Sequence, residues 1–483
     1  MRKFKALAII ALIPVACTPK VDDPAPDAAE AAIFPDYKEI TVPPNIAPLN
    51  FSLEEGEEKG VAILENGGKK LVLKSRKGGF NIPADDWREL AAPGSEIAVT
   101  VAVKEGGKLV ARKPFEIFVS EDRIDPYVAY RLIDPGYEAW NDLGIYQRCL
   151  ENFRETPIFT NDKTDRNCMN CHSFKTRSPE TMMFHMRGKN GGTYVWNNGE
   201  IDKLNTKTPR TISALVYPYW HPSGKYIAFS VNDIAQFFHS TNPNRIEVYD
   251  YKSDVVVYDV DNHQVSSSPM LMDTTRMETF PSFSPDGKAL YYCSTKQADM
   301  PQAYKDVRYS ICSIPFDPES FSFGEKVDTL YNAAKTGMGA TFPRVSPDGR
   351  FLLFSETAYG CFAIWHKDSD LRIIDLQDGT FHTMDDINGP DADSYHSWSG
   401  NSRWIIWASR RIDGLYSRLF IAHIDKDGKA SKPFLMPQKN TSHDKDLMKS
   451  YNVPEFISGP VLFDKDEMAG IAKNDPGTDV TFK

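Results

Sequence analysis

Cys168-Met169-Asn170-Cys171-His172 is the run whose residue types and spacing say most about chemistry in this chain. Two thiols at this separation can add across the two vinyl groups of one porphyrin. The residue after the second thiol then lies under the iron, where an imidazole nitrogen can bind it. Cys168 and Cys171 are therefore the expected thioether anchors of one covalent c-type haem, and His172 is its expected proximal iron ligand. Two other uses of a Cys-x-x-Cys pair compete. A zinc site needs a second Cys or His pair at suitable spacing, and no second Cys pair occurs. A thioredoxin-like redox pair needs a strand-to-helix context, whereas the polar run Asn161-Asp162-Lys163-Thr164-Asp165-Arg166-Asn167 precedes this one.

A sixth iron ligand would come from nearby. Ser178 reads as an N-cap, Pro179 as the first helical residue, Glu180 as a first-turn acid and Gly188 as a stop, which predicts a short helix. On it Met182, His185 and Met186 share a face. His185 or Met182 is the first candidate for the distal position, with Met183 and Met186 behind them. A thioether there raises the iron potential and a second imidazole lowers it. The competing reading is that this Met-rich face is simply core. Five-coordinate iron, open to ligand binding, is the remaining alternative.

The elements that must position this site begin with an export signal. Arg2, Lys3 and Lys5 precede an apolar run from Ala6 to Ala16, too short to span a bilayer. Pro14-Val15-Ala16-Cys17 ends the signal segment 1–17 and is similar to a bacterial lipobox, which implies cleavage before Cys17, lipidation of Cys17 and Cys17 as the mature N-terminus. Pro14 stands where such motifs usually carry Leu, and an ordinary cleaved signal peptide is the alternative. Residues 18–34 are rich in Pro, Ala and Asp and read as a flexible tether. A lipid anchor and tether predict a protein of the cell envelope, periplasmic or held at the outer membrane. Haem attachment to this motif takes place outside the bacterial cytoplasm, so the two signals agree.

The chain has 483 residues, 41% hydrophobic and 12% aromatic, ample for two or three packed units. A net charge of −10 argues against nucleic acid as a partner. Many short alternating runs predict a mainly β fold. Residues 35–121 read as a β-sandwich that resembles immunoglobulin or fibronectin type III modules. Its strand signals are Lys69–Lys74, Glu96–Val103 and Lys113–Ser120, and Trp87 is a core residue. Residues 122–190 read as an irregular, partly helical haem-binding segment.

A second strong feature is an internal repeat. Phe280-Pro281-Ser282-Phe283-Ser284-Pro285-Asp286-Gly287-Lys288 recurs as Phe342-Pro343-Arg344-Val345-Ser346-Pro347-Asp348-Gly349-Arg350. Looser copies start at Tyr217-Pro218-Tyr219-Trp220 and Tyr395-His396-Ser397-Trp398. Each reads as strand, turn, strand, with Pro presetting φ at the turn entry and Gly at its exit. Further strand-like runs follow each copy, so four strands make one propeller blade. The Ser-Pro-Asp-Gly pattern resembles the TolB-like β-propeller family. That resemblance implies a propeller over residues 191–440, of about five blades with four or six as alternatives, and a C-terminal extension follows over 441–483. It also implies a tendency to bind protein or peptide partners. Excess length such as Val231–Lys252 predicts insertions crowding one face.

No hydrolytic motif stands out. His221, His366, His396 and His423 read as structural, Asp286 and Asp348 as turn residues, and Asp391 and Asp393 as solvated loop acids. Cys149, Cys293, Cys312 and Cys361 remain. A Cys293–Cys312 bridge between neighbouring strands is one option and buried free thiols are the other. The expectation is an envelope electron-transfer or binding protein with a redox or envelope partner, more carrier than enzyme. The alternatives are a non-redox propeller that binds protein or glycan, with structural haem or none, and an enzyme using the propeller funnel with haem as its electron feed.

Overall fold

The computed structural model describes residues 29–54, 59–105, 108–134 and 142–483. The signal segment 1–17 with Cys17, and most of the expected tether, lie outside the described residues. The end of the tether belongs to the fold instead. Ile33–Phe34 pairs with Phe51–Leu53, and Ala31 and Ile33 are buried. The fold is mainly β, as its composition predicts.

Alternation of buried and exposed side chains puts Ile40–Val42, Phe115–Val119, Glu96–Glu105, Gly60–Asn66 and Lys69–Lys74 side by side in one N-terminal sheet, in that order. Lys108–Ala111 also pairs with Glu96–Glu105. A three-stranded sheet (Ile33–Phe34, Phe51–Leu53, Gly79–Phe80) shares its core. Trp87 sits on the short helix Ala84–Leu90 and donates its indole N–H to the Ile46 carbonyl at 2.9 Å.

The rest of the described chain is a β-propeller, as expected, and its blades number six, within the range left open around five. Blade 1 is Ser450–Ile457, Tyr127–Ile133, Gly144–Cys149 and Glu155–Thr160, from the channel outward. Blade 2 is Met169–Phe174, Thr181–Met186, Gly192–Asn197 and Glu200–Asn205. Blade 3 is Val216–Trp220, Tyr226–Phe238, Ile246–Asp259 and Gln264–Ser266. Blade 4 starts with Arg276–Phe283, Ala289–Lys296 and Ser310–Asp317, and two short strands pair with the last of these. Blade 5 is Gly339–Val345, Phe351–Thr357, Asp370–Asp375 and Phe381–His382. Blade 6 is Asp393–Trp398, Trp404–Ser409, Arg418–His423 and Phe434–Leu435.

Four expectations are corrected here. The segment 122–190 is not a separate haem unit, because it supplies three strands of blade 1 and the two inner strands of blade 2. The helix expected after Ser178 is the strand Thr181–Met186, every residue of which is buried. A strand buried on both faces shows no alternation, so its period is silent. The region 441–483 is not a mere extension. Ser450–Ile457 closes the ring as the inner strand of blade 1, while Thr478–Asp479 and Thr481–Phe482 pair in parallel with the outer edges of blades 2 and 3. Finally, Val231–Lys252 is no inserted loop. The two middle strands of blade 3 simply run on as one long hairpin.

The N-terminal sheets and blades 1 and 6 share one apolar core, which joins Ile40, Val99 and Trp87 to Tyr130, Trp404, Leu419 and Tyr451. Polar ties cross the same boundary. Trp404 donates to the Asp122 carbonyl at 3.0 Å, and His423 Nε2 lies 2.8 Å from Asp122 Oδ2.

Candidate functional site

The six inner strands carry one irregularity at the same place. Each has a left-handed residue where pairing with the second strand shifts register. These are Cys171, Tyr217, Phe280, Phe342, Tyr395 and Val453, with φ between +50° and +55°. For non-Gly residues this backbone is uncommon, and six copies mark a bulge built into the repeat. The Cys-x-x-Cys-His run is thus a blade's inner strand in disguise. Cys171-His172-Ser173-Phe174 occupies the place of Phe280-Pro281-Ser282-Phe283.

The left-handed residues form a collar. Tyr217 and Phe280 lie 4.8 Å apart between ring centroids, Phe280 and Phe342 4.2 Å, and Phe342 and Tyr395 4.6 Å. Phe362 packs against Tyr217, Phe342 and Tyr395. The collar is aromatic except on the adjacent blades 1 and 2, where Val453 and Cys171 stand.

The residues after the bulge face a central cavity of about 240 Å³. This is just below the roughly 300–1,000 Å³ of typical ligand pockets. His172, Tyr219, Arg344, His396 and Glu455 line it, with Phe174, Trp220, Phe283 and Trp398 as walls, and Pro222, Pro285 and Pro347 of the repeat turns at its rim. Two indoles lock neighbouring blades at this level. Trp220 donates to the Ser173 carbonyl at 3.2 Å and Trp398 to the Arg344 carbonyl at 3.1 Å.

No protein-family profile matches the chain, and no curated protein matches it. Among solved structures, prolyl oligopeptidase B from Galerina marginata is similar over 62% of this chain and 41% of its own, at 11% identity and TM-score 0.35. This chain thus spans about two fifths of that enzyme's length. A periplasmic gluconolactonase from Pseudomonas aeruginosa is similar over 65% of this chain and 97% of its own, at 12% identity and TM-score 0.35. A DUF4784 family protein from Bacteroides caccae covers 75% of this chain at 8% identity and TM-score 0.29. Likenesses this distant carry no argument about activity; the propeller assignment rests on the strand order itself.

His172 is the distinctive group of the site. It is 3% exposed, and both its ring nitrogens are buried without a hydrogen-bond partner. Burial, then the nearby Arg131 guanidinium, hold its pKa down at about 3, against a smaller pull from the Val453 backbone. It is therefore a neutral imidazole with a free lone pair at neutral pH. Cys168 and Cys171 are buried, unpaired thiols, and burial raises the pKa of Cys171. Cys168 just before the strand, with Cys171 and His172 on it, supplies the residue types a covalent haem uses, while of the three only His172 lines the cavity. Among the described residues no three His, Cys, Asp or Glu side chains gather as a bare metal-ion site.

The expected distal ligands are not brought to this cavity. His185 Nδ1 lies 3.1 Å from Thr193 Oγ1, and Met182 packs in the apolar core with Phe174, Phe184 and Trp196. Met186 belongs to that same core, and Met183 to the core on the other side of blade 2.

The other histidines that the sequence singles out have partners. His221 Nε2–H donates to the Gly287 carbonyl at 3.0 Å, His366 Nε2 lies 2.9 Å from Glu247 Oε2, and His396 Nε2–H donates to the Leu353 carbonyl at 3.1 Å. Asp286 accepts from Ser284 Oγ and from the Lys288 N–H, and Asp348 does the same with Ser346 and Arg350, so both are turn residues. Asp391 and Asp393 are corrections. Both are buried, and Asp393 pairs with Arg411 at 2.6 Å.

Sequence reasoning missed Arg344, Tyr219 and Glu455. The Glu455 carboxylate accepts from the Phe174 N–H at 3.0 Å, and burial pushes its pKa up to about 8. A signal for Arg344 existed in the repeat. The matching position is Ser173, Tyr219, Ser282 and Ser397 in other copies, so a guanidinium there is out of pattern.

Proposed function

We propose that this is a lipid-anchored cell-envelope protein whose six-bladed propeller carries one covalent c-type haem on the inner strand of blade 2, and that it transfers electrons to or from an envelope protein partner. Cys168 and Cys171 would hold the haem through thioethers, and His172 would ligate the iron. When bound, the group supplies a one-electron iron couple. The observation that carries the reading is His172. A buried polar group left without a partner costs about 1–3 kcal/mol in desolvation, and iron ligation would satisfy one of the two His172 nitrogens. The chain's own work is to hold the imidazole neutral, to fix it between the blade 1 and blade 3 inner strands, and to wall the cavity with indoles and prolines. The TolB-like character of the repeat supports a protein-binding role for the propeller, and Cys17 would tether it to a membrane.

A second reading is favoured by the cavity. Arg344, Glu455, Tyr219 and His172 converge there, and neither His185 nor Met182 lines it. An enzyme using the funnel, with haem as its electron feed, fits that convergence.

The test is protein made in a host with c-type maturation, beside Cys168→Ala/Cys171→Ala. Haem that stays with the denatured wild-type chain and is absent from the variant supports the reading. A wild-type chain that carries none overturns it. Carbon monoxide binding to the reduced protein then separates an open iron, expected if the cavity works on a small ligand, from a closed electron carrier.

A further inference from the structure

The central cavity gathers polar atoms that the fold leaves unsatisfied, and their chemistry narrows what could complete them. His396 donates its Nε2–H to the Leu353 carbonyl at 3.1 Å, so Nδ1 carries the bare lone pair of the neutral ring. That Nδ1 is buried with no hydrogen-bond partner of ordinary geometry, and so is Ser397 Oγ on the next residue. The His172 ring adds one donor and one acceptor in the same state. All three residues line the cavity. Buried polar groups in folded proteins are nearly all bonded, so such a set at one cavity calls for a partner from outside the chain.

The half-buried Arg344 and Glu455 face each other at cavity level, and each acts on the other's charge. A small anion would therefore meet the Glu455 carboxyl, and it has no proton to give the bare imidazole lone pair. An ammonium group would meet the Arg344 guanidinium, which offers only N–H donors. A hydroxyl both donates and accepts. Two neighbouring hydroxyls can accept from the guanidinium fork and bond the carboxyl at once.

The walls supply the apolar half of the same ligand. Trp220 and Trp398 are pinned by their indole bonds to the Ser173 and Arg344 carbonyls, and Phe174 and Phe283 stand beside them. Aromatic faces are apolar and carry partial negative charge, which suits the C–H face of a sugar ring. At about 240 Å³ the cavity has room for one such ring, below the roughly 300–1,000 Å³ of pockets that take larger ligands.

We propose that the central cavity binds one neutral monosaccharide, with Arg344 and Glu455 gripping adjacent hydroxyls and Ser397 and His396 taking others. The ring enters past the prolines at the repeat turns. This site does not rest on the haem reading, because neither Cys168 nor Cys171 lines the cavity. Iron ligation would use one His172 nitrogen and leave the other groups of the cavity free.

The experiment is calorimetric titration of the full chain with D-glucose, D-galactose and D-mannose, and with D-glucuronate and inorganic phosphate as anionic controls. It compares wild type, Ser397→Ala, Glu455→Gln and the haem-free Cys168→Ala/Cys171→Ala chain. One of the neutral sugars should bind saturably, at one site per chain, and more tightly than either anion. Ser397→Ala and Glu455→Gln should each weaken that sugar by about three- to tenfold, the worth of one hydrogen bond. Ser397→Ala should do so without lowering the melting temperature, since it removes an unsatisfied hydroxyl. The haem-free chain should bind as wild type does. Silence from all the neutral sugars overturns the proposal, and so does tighter binding of phosphate or glucuronate. Binding confined to the haem-loaded chain overturns it as well. Sugar binding by a wild-type chain that carries no haem supports this site and overturns the haem reading alone. Should Glu455→Gln fail to fold, Ser397→Ala decides by the same criterion.

Discussion

His172 and His396 hold the same place in the propeller repeat, each directly after a left-handed residue on an inner strand, yet their nitrogens have opposite fates. His396 bonds the neighbouring blade through the Leu353 carbonyl. His172 makes no hydrogen bond of ordinary geometry and meets only a weak pull from the Val453 backbone. At the same point the four other blades carry Pro218, Pro281, Pro343 and Pro454, which have no polar side chain to satisfy. One repeat position has thus been used three ways: as a stiff turn, as an interblade tie, and as an imidazole left free.

Replacing that imidazole isolates its cost. In protein made without haem maturation, His172→Phe keeps the shape and removes two unsatisfied nitrogens. It should raise stability by about 1–3 kcal/mol. The midpoint of urea unfolding measures this, and a midpoint at or below wild type would contradict the account of a free nitrogen.

Stability should fall with rising pH above neutrality. Burial raises Glu278 and Glu455 to about 8 and Asp444 to about 7. Unfolded carboxyls titrate near 4, so between these values the native state binds more protons and loses stability as pH rises. His172 and His396 are depressed to about 3 and His185 to about 4. For them the unfolded state binds more protons below about 6.5, so stability falls as pH drops towards 3. From about pH 6.5 to 8.5 the carboxyl effect leads, and the raised buried thiols act in the same direction towards the top of that window. The melting temperature should therefore decline across that window, and Glu278→Gln should flatten the decline. A rising profile refutes the assignment.

The ring depends on its last strand. A chain ending at residue 440, where the repeat itself stops, lacks Ser450–Ile457. Tyr451, Phe456 and Ile457 are buried in that strand, and their loss forfeits roughly 5–9 kcal/mol at about 1.5–3 kcal/mol each. That is comparable to a whole domain's stability of about 5–15 kcal/mol. Truncation should give insoluble or unfolded chain by circular dichroism. A soluble, cooperatively melting product would show that blade 1 closes without its inner strand.

Cys293 and Cys312 should react as separate thiols. Cys312 faces Tyr292 across the strand pair and Cys293 faces Ile311, so the two sulfurs point to opposite faces and pack in different cores. Burial raises the pKa of both thiols. Cys149, Cys293, Cys312 and Cys361 should resist a thiol reagent in the native state and react after denaturation without reductant. Fewer than these four reactive thiols would mean a bridge.

Local chemistry makes much of this protein legible in the order of its residues. The Cys-x-x-Cys-His spacing is contained in five residues. The Ser-Pro-Asp-Gly turns depend on Pro and Gly φ preferences and on an Asp that bonds its own turn, all within a few positions. The edge strand Lys69–Lys74 and the half-buried Glu96–Glu105 show their alternation openly.

Other decisions lay beyond local reach. Thr181–Met186 is buried on both sides, so a strand there has no period to read, and the Ser-Pro before it mimicked a helix start. Blade 1 joins Tyr127–Ile133 to Ser450–Ile457, strands from opposite ends of the chain, and no window of sequence holds both. Arg344 and His172 meet at one cavity only because six blades close into a ring. The sequence determined which atoms could bind iron; the closure of the ring decided which of them were left without a partner.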